Sequence, residues 1–222
     1  MTPRLIYELL KKEVVLELRQ KFALNGILLY VFSTLYIILI GFEKVSAEAW
    51  ITLYWIVILF ASVNAGAKSF IQEGKGRLLY YYSISSPQDI ILAKLLYNCI
   101  LIGIISLLAF VGFNVFFGPA VDQTWNFLLI MLLGSVGLAG VFTMVSAIAS
   151  KARGSATLMT ILSFPVIIPQ LLLLIKLSRR AASLAISHIS MDIGSRELIG
   201  LCCINLIVIV VSYMLFPYLW RD

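Results

Sequence analysis

The chain has 222 residues, 61% of them hydrophobic and 13% charged, with a formal net charge of +6. Its mean hydropathy of +1.01 lies far from that of a soluble domain. Six apolar stretches leave only short tails and loops, none large enough to fold as a soluble catalytic domain, so ATPase, kinase or dehydrogenase chemistry must come from another chain.

Residues 1–21 are basic and periodic. Pro3 stands at a helix start, and Leu5, Leu9, Val14 and Leu18 fall near one helical face, while Lys11, Lys12 and Arg19 lie largely elsewhere. The pattern predicts an amphipathic helix on the membrane surface. It reads either as an elbow helix that anchors a transporter half or as a basic flank that only sets topology. A basic start before an apolar run also suggests a signal peptide. The run is too long, and no small-x-small cleavage site follows it, so an uncleaved first span is expected.

The apolar stretches cover 22–42, 50–67, 95–117, 125–150, 155–175 and 198–220. A helix needs roughly 20 apolar residues to cross a hydrocarbon core about 30 Å thick. Backbone polar groups cannot be left unpaired in lipid, so each stretch reads as a helix. The predicted fold class is an all-α integral membrane protein with six transmembrane helices in a single transmembrane domain.

Lysine and arginine accumulate in short cytoplasmic loops. One side would carry Arg4, Lys11, Lys12, Arg19, Lys21, Lys68, Lys75, Arg77, Lys94, Lys151, Arg153 and Arg221; the other would carry Lys44, Lys176, Arg179, Arg180 and Arg196. The imbalance predicts that both termini are cytoplasmic. The basic outer loop, 176–197, fits this rule least well. A short amphipathic helix over 181–191 lying on the outer face would accommodate it, with Leu184, Ile186 and Ile189 partly immersed.

Within the spans, Trp50, Tyr54 and Trp55 open the second, Trp125 opens the fourth, and Tyr218 and Trp220 close the sixth; they read as interfacial aromatic belts. The fourth carries Ser135, Ala139, Thr143 and Ala147 at four-residue spacing, with Gly134, Gly137 and Gly140 nearby. Small residues let helices approach closely in lipid, so this span should be tightly packed. Pro165 and Pro169 in the fifth span should kink or break it, which makes them hinge candidates beside the plainer reading of a static kink.

No Asp, Glu, Lys or Arg falls deep in these stretches; Asn64, Asn98, Asn114, Asn126 and Asn205 are the main amides. That argues against proton- or sodium-driven transport. Cys99, Cys202 and Cys203 show no C-x-x-C spacing and read as small buried apolar residues. His188, the sole histidine, is a candidate haem or metal ligand, although one histidine is no protein-only metal site. No catalytic residues and no resident metal are assigned.

The most informative polar segment is 68–94, predicted as a cytoplasmic docking loop. Phe70 and Ile71 are apolar, Glu73, Lys75 and Arg77 are charged, Gly74 and Gly76 interrupt the run, and Pro87 is read as its stop. A short element with charged and apolar faces beneath the membrane suits docking to a soluble motor; the alternative is an ordinary interfacial loop. The group Gly74-Lys75-Gly76 is too short to cradle phosphate.

The basic amphipathic start, the six spans, the run from Phe70 through Glu73-Gly74 to Ser86-Pro87 and Leu92-Ala93-Lys94, then Lys151-x-Arg153-Gly154 and Pro165-x-x-Ile168-Pro169, together resemble haem exporter protein B, the membrane subunit of the cytochrome c maturation transporter. The resemblance spans nearly the whole chain. It implies an ABC-2-exporter-like layout and a cytoplasmic ABC ATPase partner that docks on Phe70, Glu73, Lys75, Gly76 and Arg77, with a smaller contact at Lys151 and Arg153. Glu73 takes the family's acidic position, but Lys75 stands before Gly76 where a carboxylate is common in the family. The resemblance further implies other cytochrome c maturation membrane subunits as partners, ATP on the partner chain rather than here, and haem as candidate cargo. It also implies a multi-pass location in the bacterial inner membrane. A self-dimer is a further candidate, and no nucleic-acid partner is expected. The function expected is a non-catalytic permease subunit that couples a partner's ATP hydrolysis to haem export or haem-chaperone release. The alternatives are an ABC-2 permease for a lipid, glycan or drug, and a structural scaffold.

Overall fold

The computed structural model describes residues 3–20, 22–71, 86–151, 156–182 and 194–221. Among the described residues there are seven helices and no strand: α1 Pro3–Gln20, α2 Phe22–Gly41, α3 Ala47–Ile71, α4 Pro87–Phe117, α5 Thr124–Lys151, α6 Ala156–Ala181 and α7 Ser195–Arg221. Helices α3 to α7 are long and apolar enough to cross a membrane, and α2 contributes a shorter apolar segment, Asn25–Gly41.

Helix α4 starts earlier than expected. The Ser86 hydroxyl accepts the Asp89 backbone N–H at 3.3 Å, and Pro87 occupies the first turn, where its missing N–H costs nothing. Ser86-Pro87-x-Asp89 is therefore a start signal. Residues 87–94, expected as the end of a loop, are helical. The far end closes at Gly118, whose φ of 79° favours glycine and whose N–H donates to the Asn114 carbonyl at 3.0 Å.

Helix α5 is the centre of the bundle and packs against α3, α4, α6 and α7. Its stripe of Ser135, Ala139, Thr143 and Ala147 is buried throughout, as close packing requires. Glycines set the approach of its neighbours. A Cβ on Gly134 would stand 2.6 Å from the Trp55 ring, and one on Gly66 of α3 would stand 2.5 Å from the Phe142 Cβ. The latter atom is fixed to its own backbone and cannot step aside. Gly66→Ala should therefore force α3 and α5 apart and destabilise the bundle by about 1–3 kcal/mol. Gly103→Ala in α4 meets nothing within 4 Å and should be neutral or slightly stabilising. Thermal unfolding of both variants in detergent checks the contrast.

Several expectations are corrected by packing. Trp50, Tyr54 and Trp55 do not lie in an interfacial belt; all three are buried. Trp50 stacks on Tyr54 and meets Phe110, Phe113 and Phe127 edge-on, with ring centroids 5.2–6.0 Å away. Trp125, by contrast, is 84% exposed at the start of α5. Cys202 and Cys203 lie on the outer face of α7 and Cys99 is half-buried, so none is a fully buried core residue. The helix through Pro165 and Pro169 is continuous, with both prolines on its exposed side. There the two lost N–H groups interrupt the ladder without displacing a packed neighbour. The same helix runs on to Ala181, so Lys176, Arg179 and Arg180 belong to α6 and not to a loop.

The helix ends sort into two groups. Ile90 and Ile91 of α4, Ala147 of α5 and Phe216 of α7 form one buried cluster, with Leu9 of α1 against it. At the opposite end Gln123 donates to the Ala181 carbonyl at 3.0 Å, and Arg180 pairs with Glu197 at 2.8 Å. The ends that flank residues 72–85 and 152–155 thus share one side with α1 and the end of α7.

Candidate functional site

The site grows from the start of α4. The first two turns bring Asp89 and Lys94 inside the protein, although both belong to the segment 68–94 expected as a cytoplasmic loop. Lys94 is 1% exposed. A lysine so placed needs an opposite charge, because desolvating an unpaired ammonium is prohibitive. Glu13 of α1 supplies it, with Oε1 at 3.4 Å from the Lys94 Nζ and 3.0 Å from the Lys12 Nζ. One turn further along each helix, Tyr97 of α4 lies beside Glu17 of α1. Asp89 is held in place by the Ser86 hydroxyl, which donates to its Oδ2 at 2.6 Å.

Helix α1 therefore does more than cover a surface. Leu9 packs on the shared cluster of α4, α5 and α7, while Glu13 and Glu17 meet Lys94 and Tyr97. Leu9, Glu13 and Glu17 follow one another four residues apart along one side of α1, an apolar contact and then two carboxylates, which fixes both its depth and its rotation.

A second set of polar contacts ties the helices together deeper in the bundle. Tyr54 donates to the Ser106 carbonyl at 3.1 Å, Ser135 to the Ser106 hydroxyl at 3.2 Å, and Trp55 to the Ser178 hydroxyl at 2.9 Å. Asn98 donates to Thr143 at 2.7 Å. These bonds join α3, α4, α5 and α6 through groups that would be costly to leave unpaired away from water.

Of the residues singled out from sequence, Phe70 falls in the last turn of α3 and Lys151 ends α5. Glu73, Lys75, Gly76, Arg77, Arg153 and His188 lie outside the described residues, as does the amphipathic segment expected over most of 181–191. Pro165 and Pro169 sit together on the outer side of α6. Sequence reasoning missed Glu13, Glu17 and Tyr97. The available signal was the pair of carboxylates four residues apart, Glu13 and Glu17, in a helix that also carries Glu8 and four basic residues, and only the fold could name their partners.

The sequence model of the CcmB protein family matches residues 4–217, spanning parts of all seven helices. The chain belongs to the CcmB family. A CcmB chain is a multi-pass membrane component of the cytochrome c maturation and haem-export system, a transporter component and not a catalytic enzyme, and it works within a multi-subunit ABC-type assembly. No curated protein matches this chain. In this CcmB chain the polar cluster of α1 and α4 draws Ser86, Asp89 and Lys94 from residues 68–94, the segment that sequence reading singled out for docking.

Proposed function

We propose that this chain is the permease-like subunit through which a cytoplasmic ABC ATPase drives a step of cytochrome c maturation in the bacterial inner membrane. In this reading α2 completes a set of six spans, and both termini are cytoplasmic. The ATPase docks on residues 68–87 around Phe70, Glu73, Lys75, Gly76 and Arg77, with a smaller contact at Lys151 and Arg153. ATP stays on the partner, and the driven step is haem export or release of a haem chaperone from a neighbouring membrane subunit. His188 on the outer side remains a candidate haem contact.

One observation carries this reading. One helix end beside each candidate docking segment, the start of α4 and the end of α5, meets in a single buried cluster with α7, and α1 closes over it. A push on either segment is delivered to α4 and α5 as one body, because close-packed elements transmit displacement. Nucleotide binding on the partner supplies the differential energy that such a shift needs.

The test is co-purification. Glu73→Ala with Arg77→Ala should reduce ATPase recovered with the chain by about tenfold, the loss expected for roughly 1.4 kcal/mol of docking energy. Cytochrome c yield in cells should fall with it. If ATPase recovery and cytochrome yield both stay at the wild-type level, the docking assignment is wrong.

A further inference from the structure

At mid-span, α5, α6 and α7 meet around Gly137. Two amide side chains fill the place that a Cβ on this glycine would take: the Gln170 Nε2 from α6 and the Asn205 Oδ1 from α7. Gln170 is 0% exposed, and neither its nitrogen nor its oxygen has a hydrogen-bond partner among the described residues. Asn205, 5% exposed, donates through Nδ2 to the Leu133 carbonyl at 2.9 Å, and its Oδ1 has no partner among them. A donor and an acceptor therefore face the same small surface without bonding to each other. In an interior away from water this arrangement is costly, and a small movement would relieve it.

Helix α6 has the means to make that movement. Pro165 and Pro169 lack the N–H groups that would bond the carbonyls of Ile161 and Pro165, so two rungs of its ladder are missing in the turns just before Gln170. Both prolines lie on the exposed side, where bending displaces no packed neighbour. Asn205 is already anchored to α5 through Leu133, so the moving partner is Gln170.

We propose that α6 has a second position in which Gln170 donates to Asn205, and that this amide pair is a latch between two arrangements of the bundle. In the arrangement described the latch is open, and its unbonded amides raise the energy of that state. When α6 bends at the two prolines the latch closes over Gly137, and α6 and α7 then move as one. Gly137 is required because any Cβ there would occupy the place where the two amides meet. The proposal does not depend on where an ATPase docks.

Replacing Gln170 by an apolar residue of similar volume separates a latch from a structural contact. A bonded amide would be missed; an unbonded one would not. Gln170→Leu, purified and placed in lipid nanodiscs, should melt about 3 °C or more above wild type. Backbone hydrogen exchange over 161–170 should slow by about tenfold as the bent state is lost. Cells carrying the variant should mature no more than about one-tenth of the wild-type c-type cytochrome, because a tenfold bias now opposes the second state. Gly137→Ala, which keeps both amides, should lower cytochrome yield as well. The latch is overturned if Gln170→Leu melts below wild type, exchanges at the wild-type rate or matures cytochrome normally. Should that variant not accumulate, Gln170→Met repeats the test, and failure of both to accumulate overturns it too. Loss of maturation through failed ATPase docking is told apart by recovery of the ATPase, which the Gln170 variants should leave unchanged.

Discussion

Trp50→Ala is expected to cost about 3 kcal/mol of stability, near the lower end of the range for removing a large buried aromatic side chain. Trp50 sits at the first turn of α3, where an interfacial ring would normally be expendable. Here it is 0% exposed and is the hub of a cluster with Tyr54, Phe110, Phe113 and Phe127. These rings come from α3, α4 and α5, so the variant loosens three helices at once. In lipid the transfer term is weak, because hydrocarbon is as apolar as the ring itself; the loss comes from the cavity and the contacts forgone. Trp125→Ala is the control. Trp125 is exposed and should cost well under 1 kcal/mol, as a side chain away from any packed feature does. Chemical or thermal unfolding in a defined detergent reads both. Equal effects would return Trp50 to the interfacial belt.

The second large effect is at Lys94. Its whole side chain is buried, so Lys94→Ala removes a four-carbon stem as well as a charge, and should cost about 2–4 kcal/mol. Lys94→Met fills the same volume with an unbranched apolar chain and should cost about 1 kcal/mol or less, since Glu13 retains Lys12 at 3.0 Å. The two variants should nevertheless behave alike in one respect. Each removes the charge contact that sets α1 on α4, so each should expose α1 to limited proteolysis in membranes. If Lys94→Met leaves α1 as protected as in wild type, the apolar contact through Leu9 is sufficient and the ion pair is not a positioning element.

How much of this was legible in the sequence varies from element to element. Five of the six expected spans, α3 to α7, were legible because length and apolar content are read directly against the thickness of a bilayer. The small-residue stripe of α5 was legible for a similar reason: residues four apart share a helix face whatever the partner, and Ser135, Ala139, Thr143 and Ala147 are all buried. The candidate site was less so. Glu13 and Lys94 stand 81 positions apart in sequence, and nothing local to either names the other. Gln170 escaped notice because a single amide in an apolar helix becomes informative only when its surroundings are known.

The amino-acid sequence by itself determined an all-helical chain built for a membrane, and its family. Those properties are sums over residues or matches along the chain, and neither needs to know what touches what. Tertiary structure alone decided that the aromatic residues opening α3 are core and not belt. It alone decided that a lysine at the edge of a loop is a buried ion-pair member, and that two amides converge on one glycine. Helices in lipid gain little from apolar burial, so their arrangement rests on close fit and on a few polar contacts between residues far apart in the chain. Periodicity says which face a residue shares, and only the packed bundle says what that face meets.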